Sequence, residues 1–357
     1  MVEMIIAGIA SFVVSTASVA MVLRFSQIRA WYDTPDERKV HSGDVPRLGG
    51  LGFACAFILT SLVITFIFPE RYFGFRFLPV LIAMALILLF GVTDDFHPLS
   101  PKAKLSIQII AALLVILPGY TFHRLFSFDI GPLGTLHWIR YPLSVFWIIG
   151  LTNAINLIDG VDGLAGGVSA LSALMYAAIF TGFKSNGVAV ICVCLMASIL
   201  GFLLFNAPIP RAKIFMGDGG SQFLGFTLAV LPLLNQEPDG RSLPLAETAA
   251  VLLIPIFDTF SAVWRRLRDG RRIDSPDRDH THHKLINLGL NAWQLDSLLY
   301  GLQVLIGCLV FLSLQYHGPL SPALLGLAYL FGGGFFMLIH YTHRGALKKG
   351  AASSGPL

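Results

Sequence analysis

The sequence predicts an all-α, polytopic transmembrane helical bundle of about 11 spans, and three observations predict it. Only 13% of the 357 residues are charged, about half the share of an ordinary soluble domain, while 55% are hydrophobic. The apolar residues come in blocks approaching the ~20 residues an upright membrane helix needs, and the mean hydropathy is +0.72. Lys and Arg collect in alternate loops: 19 of the 25 fall in segments 24–47, 94–104, 206–219 and 264–292 and in the tail after Tyr341. The positive-inside rule makes those segments cytoplasmic, and an odd span number then puts the N-terminus outside and the C-terminus in the cytoplasm. Residues 1–345 read as a single integral membrane domain and 346–357 as a short cytoplasmic tail.

The first block, 4–23, has no basic run before it and no small-residue cleavage pattern after it, so it reads as a retained span rather than a signal peptide. The loop that follows holds Asp33-Thr34-Pro35-Asp36, then Arg38-Lys39-Val40-His41, then Pro46-Arg47-Leu48-Gly49-Gly50. Spans 48–68 and 77–93 come next, and the second runs into Gly91-Val92-Thr93-Asp94-Asp95. Adjacent carboxylates repel, so a pair held at a membrane surface points to a bound cation or to a task that needs a raised pKa. The alternative is a helix end with solvated charges that cap the next span. Leu99-Ser100-Pro101-Lys102-Ala103-Lys104 leads into 104–118, which with 220–234 is short for a span, so both helices are expected to extend into the motif loops beside them. Tyr120 to Arg140 is mixed and broken by Gly and Pro, and reads as an external loop or interfacial helix.

Span 141–155 ends in the run Asn153 to Gly167. Its glycines let backbone approach a ligand, while Asn156, Asp159 and Asp162 supply oxygens for a hard cation or for hydrogen bonds to sugar and base. A calcium-loop reading fails on the missing terminal Glu and on apolar residues at ligand positions. Spans 164–182 and 188–205 carry Cys192 and Cys194, which like Cys55 and Cys308 sit in apolar blocks as packing residues. Then come Phe205-Asn206-Ala207-Pro208 and Lys213 to Ser221, with Asp218 flanked by glycines at the opening of span 220–234. There Asp218 can hold Mg²⁺ while helix N-terminal amides meet phosphate oxygens, and Phe215 offers either a stacking face for a base or simple core contact. Span 245–263 runs into Trp264-Arg265-Arg266, and Asp279-His280-Thr281-His282-His283-Lys284 follows. Arginine forks beside imidazoles suit a diphosphate; zinc is the rival for three histidines, but the surroundings are basic and without cysteine. Spans 293–315 and 322–341 complete the chain.

The acidic motifs Asp94-Asp95, Asp159, Asp162, Asp218 and Asp279 all fall at cytoplasmic span ends, in a topology built from Lys and Arg alone. An ion-coupled transporter would favour acids near the bilayer midplane, and no internal repeat supports one.

Taken in order and sidedness, these motifs resemble the polyprenyl-phosphate N-acetylhexosamine-1-phosphate transferase family across nearly the whole chain. The ending His280-Thr281-His282-His283 after the arginine pair is similar to the branch acting with GlcNAc-1-phosphate on undecaprenyl phosphate, although Thr281 stands where that branch often has an aliphatic residue. The resemblance implies a multi-pass enzyme of the bacterial inner membrane with a cytoplasm-facing site. It would transfer HexNAc-1-phosphate from a UDP-HexNAc to undecaprenyl phosphate with release of UMP, as the first membrane step of a cell-envelope glycan pathway such as cell wall or lipopolysaccharide synthesis. It implies Mg²⁺, with Mn²⁺ as a substitute, surrounding membrane lipid and no nucleic acid, and it leaves a homodimer open. It further implies that Asp218 is the principal metal ligand, with Asp95 and Asn156 assisting. Asp94 would position or deprotonate the lipid phosphate, and Asp159 would organise phosphate and metal. Gly160, Val161, Asp162 and Phe215 would border the uracil. His280, His282, His283 and Arg265 would hold the diphosphate or sugar, with Lys104 and Lys39 adding positive charge.

Overall fold

The structure is a computed structural model, and it describes residues 1–32, 45–68, 74–126, 128–131, 136–207, 209, 211–235, 242–272 and 280–353. Thirteen helices carry the described chain: α1 (Val2–Ile28), α2 (Gly49–Ile67), α3 (Leu78–Phe96), α4 (Pro101–Ile116), α5 (Arg140–Ile158), α6 (Leu164–Gly182), α7 (Asn186–Asn206), α8 (Gly217–Val230), α9 (Leu245–Val251), α10 (Leu253–Arg268), α11 (Thr281–Asn287), α12 (Ala292–Gln315) and α13 (Leu320–Ser353). The only described strands, β1 (Arg124–Leu125) and β2 (Phe128–Asp129), pair as a minimal antiparallel ladder in the segment expected to be an external loop or interfacial helix.

Each apolar block of the sequence is a helix or a broken helix. Among the described residues eight helices are long and apolar enough to cross a membrane, or nine if α9 and α10, bent by 89° at their break, count as one span. The two short blocks extend as their length demanded. Pro101 opens α4 three residues before the apolar stretch, and Ser100 caps it by accepting from the Ala103 amide at 3.3 Å. On the other side α8 starts at Gly217 and continues through a 3₁₀ turn to Leu234.

The chain divides into two compact units, Met1–Thr248 and Ala249–Leu357. In the first, small polar residues let helices meet closely. Ser11 of α1 hydrogen-bonds Ser198 of α7 at 2.6 Å and donates to the Cys194 carbonyl at 2.8 Å, while Ser15 donates to the Ser198 carbonyl at 2.6 Å. Such bonds average ~0.6 kcal/mol each in a membrane interior, so their main effect is to fix register. The core beneath the motif loops is aromatic, with Phe53, Phe57, Phe202, Phe223 and Phe226 fully buried. In the second unit α12 packs along α13 and starts from a reciprocal cap, in which Asn291 accepts from the Gln294 amide at 2.9 Å and Gln294 accepts from the Asn291 amide at 3.0 Å. All four cysteines are free; Cys192 and Cys194 are buried, whereas Cys55 and Cys308 lie exposed on apolar helices and do not pack the core.

Candidate active site

The first unit builds its polar cluster around the start of α8. Gly217 has φ +77°, a conformation that favours glycine, and a Cβ there would stand 2.1 Å from the Arg47 carbonyl oxygen. Two further glycines let helices approach to backbone contact: Gly50 of α2 lies against Gly220, and Gly91 of α3 against Gly219. The first-loop segment Pro46 to Gly50 docks onto the residues before α8 through three backbone bonds. Phe215 donates to the Pro46 carbonyl at 2.7 Å, Gly49 to the Phe215 carbonyl at 2.9 Å, and Gly50 to the Met216 carbonyl at 2.8 Å. Asn206, at the end of α7, accepts from the Gly163 amide at 3.0 Å and donates to the Ile214 carbonyl at 2.9 Å, tying the Asp159–Gly163 turn to the α8 approach.

Onto that frame the carboxylates converge. Asp95 accepts from the Asp218 amide through Oδ1 at 2.8 Å and from the Gly219 amide through Oδ2 at 3.1 Å. The α8 amides that the sequence offered to a phosphate are therefore bonded to a protein carboxylate. The physical reason is that Asp95 is buried, and a buried charge needs donors. The Arg47 guanidinium donates to the Asp95 carbonyl oxygen. Asp94 is tied by the Leu99 amide at 2.7 Å on Oδ1 and by an ion pair with Lys104 on Oδ2. Lys104 also reaches Asp218 Oδ2 at 3.4 Å, so one ammonium bridges two acids. Exposure separates those acids: the Asp94 side chain is 3% exposed and that of Asp218 45%, which leaves Asp218 as the acid a ligand can reach. Asn156 donates to Asp218 Oδ1 at 3.3 Å and to Ser221 Oγ at 2.8 Å, orienting the carboxylate from the α5 side.

Asp159 closes α5 as its C-cap residue. Burial first, and then the negative charges of Asp218, Asp162 and Asp95, push its carboxyl up to about 8. Asp162 and Val161 are buried in the same turn, Gly160 is exposed and Phe215 is half-buried. Lys39 and Asp279 lie outside the described residues.

The second unit holds a separate polar cluster. Asp258 of α10, 2% exposed, accepts from His280 Nδ1 at 2.7 Å and from both the amide and the hydroxyl of Thr281, at 2.7 and 2.6 Å. The His280 and His282 rings lie parallel with centroids 5.8 Å apart, and His283 lies 4.2 Å from His282. Arg265 and Arg266 are buried in the last turns of α10. Burial, followed by the neighbouring His283 charge, lowers His282 to about 4 and makes it a neutral hydrogen-bonding group at physiological pH. Sequence reasoning passed over Asp258, which sits inside an apolar block without a motif around it; a carboxylate within a span was its one signal.

Among the described residues no three His, Cys, Asp or Glu side chains form a metal cage. Mg²⁺ is held by one or two carboxylates together with substrate phosphates, so reachable Asp218, with neighbouring carboxylates and an amide on its flank, fits that ion.

The chain matches the family model described as glycosyl transferase family 4 over residues 77–235, a stretch within the first unit. It is 33% identical over 291 residues to the probable undecaprenyl-phosphate N-acetylglucosaminyl 1-phosphate transferase of Bacillus subtilis, covering 82% of this chain and 79% of that protein. It is 32% identical over 285 residues to the decaprenyl-phosphate N-acetylglucosaminephosphotransferase of Mycolicibacterium smegmatis, covering 71% and 68%. To the undecaprenyl-phosphate alpha-N-acetylglucosaminyl 1-phosphate transferase of Escherichia coli it is 29% identical over 275 residues, covering 73% and 71%.

Proposed function

The chain belongs to glycosyl transferase family 4, and from that premise we propose that it transfers GlcNAc-1-phosphate from UDP-GlcNAc to undecaprenyl phosphate, releasing UMP. Its setting is the bacterial inner membrane, crossed by eleven spans with the N-terminus outside and the acidic cluster on the cytoplasmic face. The observation that carries the reading is the Asp94–Lys104–Asp218 bridge at the start of α8, with Asn156 orienting the more exposed of its two acids. Such a cluster suits a reaction between two anions, where catalysis is positioning and charge neutralisation.

In the proposed step an oxygen of the lipid phosphate forms a bond to the β-phosphorus of the donor, and the bond from that phosphorus to the bridging oxygen breaks. The electron pair leaves on the UMP phosphate. The acceptor is already ionised at neutral pH, so the step needs neither a base nor a covalent enzyme intermediate. Mg²⁺, when bound through Asp218, would neutralise the donor diphosphate and the charge developing on the leaving phosphate. Lys104, freed from part of its pairing when anions arrive, supplies a cation to the same phosphates, and Asp94 keeps it in place. Asp95 holds the first turn of α8 and thereby the Asp218 backbone, while Asp159 adds a carboxylate once it ionises. The turn Gly160 to Asp162 and the face of Phe215 border the base; in the second unit Arg265, His282 and His283 are donors of the kind a diphosphate or sugar takes.

The test is UMP release from UDP-GlcNAc by the purified protein on addition of undecaprenyl phosphate and Mg²⁺. Asp218→Asn is expected to lower turnover at least 100-fold with unchanged thermal unfolding. A folded wild-type protein inert with every UDP-HexNAc would sink the enzyme reading, and near-normal turnover in Asp218→Asn would remove the metal assignment.

A further inference from the structure

The histidine segment begins with a residue whose side chain is committed to the protein. His280 directs Nδ1 at the buried carboxylate of Asp258, and the next residue gives the same carboxylate its amide and its hydroxyl. Three donors thus converge on one acid: Oδ2 takes the imidazole and Oδ1 takes both groups of Thr281. A carboxylate accepts and never donates, so Nδ1 must carry a proton and the neutral ring has its lone pair on Nε2. The two Thr281 bonds set where α11 begins and how it leaves α10. His282 and His283, one and two residues further on, take their places from that start, and the parallel 5.8 Å spacing of the His280 and His282 rings follows from it.

We propose that Asp258 is a positioning residue of the transfer reaction: it selects the Nδ1-protonated tautomer of His280 and anchors Thr281, so that Nε2 of His280 accepts a hydrogen bond from a hydroxyl of the donor sugar while His282 and His283 keep their places. The inference rests on the proposed transferase activity. The Thr281 hydroxyl is part of the device, because an aliphatic side chain at that position would leave Asp258 with two donors in place of three.

Asp258→Asn separates tautomer from shape. The amide is isosteric, but its NH₂ group facing Nδ1 can only donate, which moves the ring proton to Nε2 and turns an acceptor into a donor. The expected result is a rise in KM for UDP-GlcNAc of about tenfold or more, a smaller change in kcat, and unchanged thermal unfolding in detergent. A double-mutant cycle with His280→Ala supplies the readout that a purely structural role would not give: in the His280→Ala background, Asp258→Asn should cost less than about a third of its effect alone. Full additivity, or wild-type KM in a folded Asp258→Asn, overturns the proposal. If Asp258→Asn does not fold, Thr281→Val decides, since it deletes one hydroxyl and keeps the amide: a three- to tenfold rise in KM supports the anchor, and a value within twofold of wild type overturns it. Wild-type protein that releases no UMP at all indicts the activity reading and not Asp258, because the effects of the variants are measured only against active wild type.

Discussion

Asp218 and Asp95 meet at the same helix start but face opposite demands. Asp95 lends both oxygens to the first amides of α8, whereas Asp218, in that same first turn, keeps a side chain that is 45% exposed. The acid beside them with the most raised carboxyl outside the spans is Asp159, at about 8 against an ordinary 3.8. A raised folded value means that the folded protein holds a proton the unfolded chain has already lost. Stability of the cation-free protein should therefore fall as pH rises from about 4 to about 8 and level off above that. A divalent cation reverses the sign locally, because it binds the ionised carboxylate and displaces the proton. Thermal unfolding in EDTA and in Mg²⁺ across pH 5 to 9 checks both halves: stabilisation by Mg²⁺ should grow as pH approaches about 8. A stabilisation that is flat with pH would exclude Asp159 from the cation's surroundings.

At the scale of elements, the glycines of the motif loops act as packing surfaces. Gly50 and Gly220 bring α2 and α8 together so closely that a Cβ on Gly50 would stand 2.2 Å from the Gly220 Cα, which is backbone and cannot rotate away. Gly50→Ala should therefore destabilise the first unit by about 1–3 kcal/mol, with loss of activity following the displaced start of α8. Gly150→Ala is the control, since a Cβ there meets nothing within 4 Å. Equal melting temperatures for the two variants would show that the helices can part without cost. The Pro46–Gly50 segment has the same meaning: its three backbone bonds fasten the approach to α8, so the end of the first long loop serves as a brace.

For the whole molecule, the charge pattern yields a topology that labelling can check. In a cysteine-free background, Arg124→Cys should react with a membrane-impermeant maleimide in intact cells, and Lys213→Cys should react only after permeabilisation; both positions are exposed. The opposite result would invert the protein and place the acidic cluster outside. Much of the architecture was legible beforehand, because apolar runs and cation placement are one-dimensional signals: block 164–182 coincides with α6, and the short blocks were extended in the directions that α4 and α8 take. The bend of 89° between α9 and α10 was missed: block 245–263 reads as one span, and Pro255, which cannot donate to the carbonyl four residues before it, was the signal passed over.

Composition, run length and the order of motifs by themselves determined that this protein is a helical membrane protein of a transferase family with its acids at span ends. Those properties depend on transfer into lipid and on residue chemistry, and both are written along the chain. Which acid is reachable, which caps a helix and which is paired depended on contacts between residues far apart in sequence. Asp95 finds the α8 amides 123 and 124 residues away, Lys104 meets Asp218 across 114, and Asp258 claims His280 across 22. A carboxylate's role follows from the donors that surround it once burial has stripped its water, and only the tertiary structure decides which donors those are.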